Sequence, residues 1–131
     1  MASIFSKIIA GEIPSYKIAE TDDYLAFLDA FPLVKGHTLV VPKKEIDYIF
    51  DLDDDLLAGL HVFAKKIAKA IEVAVPCSRV GVCVIGLEVP HAHVHLVPIR
   101  SAADISFTQP KIQVAPEEMQ KIAAAIRSKL E

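Results

Sequence analysis

Residues 90–98 alternate histidine with small or branched apolar side chains: His91, His93 and His95 are separated by Ala92 and Val94 and followed by Leu96. A period of two belongs to a β-strand, and it sends the two sets of side chains to opposite faces of a sheet. One face must then pack into a core while the other carries three imidazoles. The chain therefore needs a sheet with one packed side and one side that can meet a small molecule.

The remaining residues are sufficient to build that sheet once. At 131 residues the chain is long enough for one compact domain and short for two. Residues 1–131 are read as a single unit. Apolar residues make up 53% and charged residues 24%, a globular rather than a disordered composition. No apolar run approaches the ~20 residues of a membrane span. The start, Met1-Ala2-Ser3-Ile4-Phe5-Ser6-Lys7, has no secretory pattern, so a cytoplasmic protein with no membrane partner is expected. A net charge of −3 without a basic block argues against nucleic acid, which needs clustered Lys and Arg. Cys77 and Cys83 lack a Cys-x-x-Cys spacing and are expected as buried or half-buried thiols.

In chain order, Ser3 is a candidate N-cap for a short helix that ends near Gly11. Residues 16–19 and 24–28 read as a hairpin turned by Thr21-Asp22-Asp23, and residues 37–41 as a β-branched strand ended by Pro42. Asp51, Asp53, Asp54 and Asp55 open a long helix with Leu56, Leu60, Phe63, Ile67 and Ile71 on its stripe. Helix electrostatics explains these carboxylates without a metal, and places Lys65, Lys66 and Lys69 toward the C-terminal end; His61 is surface or boundary filler. Residues 80–85 are a continuous apolar run, expected as a strand buried on both faces. Gly86-Leu87-Glu88 then makes a tight connection into an antiparallel histidine strand. No pattern is clear from residue 101 until Pro116 opens a final helix with Met119, Ile122, Ile126 and Leu130 on one stripe. The expected fold is α+β: a largely antiparallel sheet of about five strands, one long central helix and short terminal helices.

Spacing alone leaves three roles open for the histidine face. Alternate imidazoles suit zinc or iron, with a carboxylate such as Glu88 completing the set. They also suit covalent catalysis, one ring attacking phosphorus while the others orient it and stabilise charge. The third role is a solvated polar face.

His91-Ala92-His93-Val94-His95-Leu96-Val97 resembles the His-φ-His-φ-His-φ-φ signature of the histidine triad, or HIT, nucleotide hydrolases and transferases. The likeness extends to Ile4-Phe5-Ser6-Lys7-Ile8-Ile9 with Gly11-Glu12-Ile13-Pro14, to Leu25-Ala26-Phe27-Leu28-Asp29, and to Gly36-His37-Thr38-Leu39-Val40-Val41-Pro42-Lys43-Lys44. Residues 101–131 match no family segment and stand as a C-terminal extension. The resemblance implies a homodimer binding a nucleoside monophosphate-type molecule, of adenosine type, at each histidine strand. It implies His93 as the nucleophile at the α-phosphorus, with a nucleotidyl-histidine intermediate that water releases. By the same match, His95 contacts phosphate and assists the leaving group, His91 holds the neighbouring ring, and His37 is a supporting histidine. Asp29 falls where the family binds ribose hydroxyls, and Phe5, Ile8, Ile13, Phe27 and Leu39 where it lines the base pocket. A histidine rather than a glutamine at position 95 favours hydrolysis over nucleotidyl transfer, and no cofactor is called for.

The chain departs from the family pattern in three places. In Gly86-Leu87-Glu88-Val89, Leu87 replaces a phosphate-contacting glutamine and Glu88 a Ser or Thr, which makes both possible modulators. The loop ahead of the triad also lacks the usual asparagine. Zinc-containing members carry a Cys-x-x-Cys near the start and a histidine after the paired lysines. Ser3, Ser6 and Glu45 stand there, so no structural zinc and no other metal is expected. The alternatives to a phosphoramidase or nucleotide hydrolase are a nucleotide-binding module with little catalysis, owing to Leu87 and Glu88, and a metal-dependent enzyme.

Overall fold

The computed structural model describes residues 2–130; the two ends of the expected unit, Met1 and Glu131, lie outside them. Strands β1 (Lys17–Glu20), β2 (Tyr24–Leu28), β3 (Thr38–Pro42), β4 (Arg79–Cys83) and β5 (Val94–Ile99) form one sheet in the order β1-β2-β3-β5-β4. Every neighbouring pair is antiparallel. With helices α1 (Ile4–Ile9), α2 (Asp54–Ala74) and α3 (Pro116–Arg127), this is the α+β arrangement expected from the sequence.

The alternation along the strands builds two different sheet faces. Ala26, Leu28, Val40, Val94 and Leu96 join Leu60, Ile67 and Ile71 of α2 and Met119, Ala123 and Ile126 of α3 in the main core. Leu25, Phe27, Leu39 and Val41 point the other way and form a smaller cluster with Phe5 of α1. Each large apolar side chain so buried contributes about 1.5–3 kcal/mol. The site histidines lie on the side of the smaller cluster.

α1 has only six residues, too few to persist alone, so its ends and its docking must hold it. Ser3 Oγ accepts from Ser6 N–H at 3.0 Å. At the other end Gly11, at φ 81°, allows Gly11 N–H to reach Ile8 O and Glu12 N–H to reach Lys7 O, a Schellman closure. Buried Phe5 anchors the helix to the sheet.

In α2, Asp53 caps Leu56 N–H at 2.8 Å, while Asp54 and Asp55 occupy the first turn, which accounts for the acidic run. The lysines depart from expectation. The apolar stripe carries the helix on to Ala74, so its last turn holds no basic residue and Lys65, Lys66 and Lys69 lie exposed along its flank. His61 is exposed, as expected.

Residues 80–85 also differ from expectation. The strand is Arg79–Cys83, and it is not buried on both faces: Val82 is 55% exposed, and Val84 and Ile85 are exposed beyond its end. β5 inserts between β3 and β4, leaving β4 at an edge, and an apolar run does not record that position. The connection to the triad is correspondingly a loop over residues 84–93 rather than a tight turn.

Paired strand begins at Val94, so His91 and His93 belong to the approach to β5. Their backbone is still fixed: His91 N–H donates to Val89 O at 2.8 Å and Ala92 N–H to Ile46 O at 2.7 Å. After β5, Ser101 and Asp104 form a capping box around a 3₁₀ turn at Ala102–Ile105. Ile112 N–H then ties the following segment to Pro32 O at 2.9 Å. α3 opens at Pro116 as expected and packs Met119, Ala123 and Ile126 into the main core, but it ends at Arg127, so Leu130 of the expected stripe lies beyond it.

Candidate active site

His91, His93 and His95 are all buried, at 0%, 6% and 6% exposure, on the α1 side of the sheet. Phe5 of α1 meets the rings of His91 and His93 edge-on, at centroid distances of 5.8 and 5.0 Å. On β3, Leu39 pairs directly with His95, and His37 just precedes the strand. The sheet register thus brings His37 to the triad.

The hydrogen-bond partners determine which nitrogen of each neutral ring carries the proton. His93 Nδ1 lies 2.7 Å from the carbonyl oxygen of His91 and must donate to it, which leaves the Nε2 lone pair of His93 free. Leu33 N–H donates to His37 Nδ1 at 3.0 Å, so the proton of His37 sits on Nε2. That nitrogen is 3.0 Å from His95 Nδ1, which accepts, and the proton of His95 is placed on Nε2. His91 Nε2 donates to Pro42 O at 2.7 Å, while Ser3 Oγ lies 2.8 Å from His91 Nδ1. The result is one ring with a free lone pair next to one with a free N–H, their centroids 4.9 Å apart.

Burial favours neutral rings here. Desolvation, helped by the charges of Lys111 and His93, holds His37 down at about 4. Desolvation and the neighbouring His93 and His37 hold His95 down at about 3. His93 is lowered for the same reason, with its bond to the His91 carbonyl opposing the shift. Burial raises Asp29, against the pull of its bond from Phe31 N–H. Asp29 Oδ2 stands 3.6 Å from His37 Nε2, but with His37 neutral near pH 7 that contact is polar rather than an ion pair.

Beside the rings opens a pocket lined by Phe5, Ile8, Phe27, Leu39, Asp29, Leu87, Glu88, His93 and His95. Of the residues expected to line a base site, Ile13 alone is not part of this lining. His91 and His37 are fully buried behind the rings that face the pocket. Leu87 is 88% exposed and Glu88 is exposed, both at the rim. Among the lining residues that were not anticipated are Phe107 and Lys111. Phe107 stands edge-on to His95 at 4.7 Å, and Lys111 Nζ lies 5.9 Å from the Phe107 centroid. No periodicity in residues 101–115 marks them, because irregular backbone carries them there.

Two donor sets bear on metal binding. Ligand atoms of Asp29, His37 and His95 lie within 4.8 Å of one another. A metal-bound imidazole donates through its other nitrogen. In His37 that other nitrogen instead receives Leu33 N–H, so this set does not fit a metal. At the positions where the resemblance would put a Cys-x-x-Cys, the Ser3 and Ser6 hydroxyls are engaged with His91 and Glu45, and a hydroxyl is not among the N/S/carboxylate donors zinc takes.

A free imidazole lone pair beside an imidazole N–H, at the N-terminal end of a central antiparallel strand and next to a pocket, is an arrangement that can supply a nucleophile and a proton donor. Residues 10–102 match the HIT domain, and the chain belongs to the histidine triad family. It is 35% identical to adenosine 5'-monophosphoramidase hnt1 of Schizosaccharomyces pombe over 99% of both proteins. The crystal structure of a Hit-like protein involved in cell-cycle regulation from Bartonella henselae superposes with a TM-score of 0.86 at 33% identity, covering 98% of this chain and 96% of that one. A Zn-bound histidine triad family protein from Mycobacterium smegmatis superposes at 0.84 with 26% identity, covering 98% and 93%.

Proposed function

We propose that this chain is a single-domain hydrolase of nucleoside phosphoramidates or related nucleotides, of adenosine type, working through His93. The observation that carries the reading is the 2.7 Å bond from His93 Nδ1 to the His91 carbonyl, which frees Nε2 as a nucleophile beside the pocket. The likeness to a relative named as an adenosine monophosphoramidase supports the substrate class.

In this reading Nε2 of His93 attacks the α-phosphorus while the bond to the leaving amine breaks. The Nε2 proton of His95 passes to the departing nitrogen. Water then attacks phosphorus, the P–Nε2 bond breaks, the nucleoside monophosphate leaves, and the water's proton returns to His95. Asp29 holds the ribose hydroxyls, and Phe5, Ile8, Phe27 and Leu39 hold the base. His91 and His37 position the two reacting rings. Leu87 and Glu88 modulate the step, Glu88 through the leaving group or the water; Glu88→Gln is expected to alter the pH profile of turnover, and an unchanged profile removes that role.

Mixing the protein with adenosine 5'-phosphoramidate should give a protein adduct heavier by one adenylyl group, absent in His93→Ala. Binding with neither adduct nor turnover would instead support a nucleotide-binding module disabled by Leu87 and Glu88. The reading includes a homodimer, supported by apolar side chains left outside the core on and near α2 and β4, among them Phe50 at 72%, Val62 at 68% and Val82 at 55% exposure. Sedimentation equilibrium at twice the 14.3 kDa chain mass is expected, and a monomer at micromolar concentration would overturn it. A cytoplasmic setting suits the two free thiols, Cys77 and Cys83. Among the described residues no helix is long and apolar enough to cross a membrane.

A further inference from the structure

The His91 ring is fully buried, and its two nitrogens are served from opposite directions. Pro42 O accepts from Nε2 at 2.7 Å, and the Ser3 hydroxyl faces Nδ1 at 2.8 Å. Ser3 Oγ already accepts from Ser6 N–H at 3.0 Å, so its single proton is free to point at His91. The Ser6 hydroxyl is the other candidate donor, 3.4 Å from Nδ1, but it gives its proton to Glu45 Oε1 at 2.6 Å. The same carboxylate oxygen accepts Ser3 N–H at 2.6 Å. Glu45 therefore clamps both serines, and the clamp ends on the residue whose carbonyl holds His93.

We propose that Ser3 and Glu45 are positioning residues, locking His91 in its Nε2–H form and fixing the carbonyl that orients the His93 nucleophile. The lock follows from what each partner of the neutral ring can donate or accept. Pro42 O can only accept, which puts the ring proton on Nε2. The Nδ1 lone pair then requires a donor, and a buried lone pair without one is costly. Ser3 supplies it, and Glu45 keeps the Ser6 hydroxyl from competing while holding the N-terminal turn of α1 in place. Two serines and a carboxylate thus do by hydrogen bonding what a tethering ion would do by coordination, and they join the N-terminal helix to the reacting strand.

The kinetic arm of this proposal rests on the hydrolase reading, whereas the spectroscopic arm does not. In protein carrying ¹⁵N-labelled histidine, His91 should show the neutral Nε2–H pattern, with an upfield Nε2 and a downfield, hydrogen-bonded Nδ1. Ser3→Ala should move the Nδ1 resonance and lower kcat by about tenfold with KM within twofold, the scale on which outer partners of an oriented histidine act. Ser3→Thr, which keeps the hydroxyl, should restore both. Glu45→Ala removes an exposed carboxylate, with an unchanged far-UV circular dichroism spectrum as the check on folding; it should produce a smaller shift of the same resonance. If Ser3→Ala leaves the His91 resonances and kcat at wild-type values, or if Glu45→Ala leaves the His91 Nδ1 resonance unmoved, the positioning role is wrong. If the wild type turns over no phosphoramidate, the hydrolase reading fails while the ring spectra still decide the lock.

Discussion

His37 Nε2 lies 3.0 Å from His95 Nδ1, and Leu33 N–H lies 3.0 Å from the other nitrogen of His37. A backbone amide thereby dictates, through two rings, that the accessible nitrogen of His95 bears a proton. A proton donor is needed only when the leaving group is basic. His95→Asn is expected to slow cleavage of alkyl phosphoramidates about 100-fold and to spare esters of acidic phenols, the scale of a lost general acid. Comparing kcat across leaving groups of graded basicity checks this; equal losses for all of them would remove His95 from that role.

The same burial makes stability depend on pH. His37 at about 4 and His95 at about 3 bind protons less readily than in the unfolded chain, where histidine titrates near 6.5. Below about 6.5 the unfolded state therefore binds more protons, and folding loses stability as the pH falls until the folded values are reached. Their contribution is complete above about 6.5 and is lost as the pH falls through about 4 and then 3. Asp29, raised by burial, acts in the opposite sense but is one group against three, since His93 is lowered as well. Urea midpoints should fall steadily from pH 7 to pH 4.5 at constant m-value, and a flat midpoint would contradict neutral burial of the pair.

Lys111 brings positive charge to a pocket that also carries Glu88 and Asp29. An exposed cation meeting phosphate is worth up to about 1 kcal/mol, or roughly fivefold in affinity. Lys111→Ala should raise KM by about that factor with kcat little changed, and should weaken the salt dependence of kcat/KM. The measurement is steady-state kinetics at two ionic strengths; an unchanged KM would place Lys111 outside substrate binding.

Gly59 lies inside α2 at a position where alanine would ordinarily favour the helix by about 1 kcal/mol. A Cβ there would stand 2.0 Å from the Tyr24 hydroxyl oxygen and 2.9 Å from its ring carbon Cζ. Tyr24 is held in place by stacking on Phe63 at 5.6 Å and by donating to Leu56 O at 2.9 Å. Gly59→Ala is thus expected to destabilise by about 1–3 kcal/mol despite its better helix propensity. Thermal unfolding should show a smaller loss in a Tyr24→Phe background, since the hydroxyl makes the closest approach.

Local pattern was enough to separate three imidazoles from Ala92, Val94 and Leu96, which face the main core, because the period of two is a property of extended backbone itself; that only His95 lies in paired strand it did not show. It also marked the acidic run as the start of α2, Ser3 and Gly11 as the ends of α1, and the stripe of α2, since each depends on residues within a turn or two. Tertiary structure decided what those features do. The edge position of β4 follows from β5 entering beside β3, which no run of apolar residues encodes. Phe107 and Lys111 reach the pocket along irregular backbone whose anchor, Ile112 N–H to Pro32 O, spans distant parts of the chain. Most of all, the proton on each ring is assigned by partners remote in sequence: Ser3 and Pro42 for His91, and His37 for His95. A histidine's identity is local, but its tautomer depends on whichever donor or acceptor the fold packs against each nitrogen.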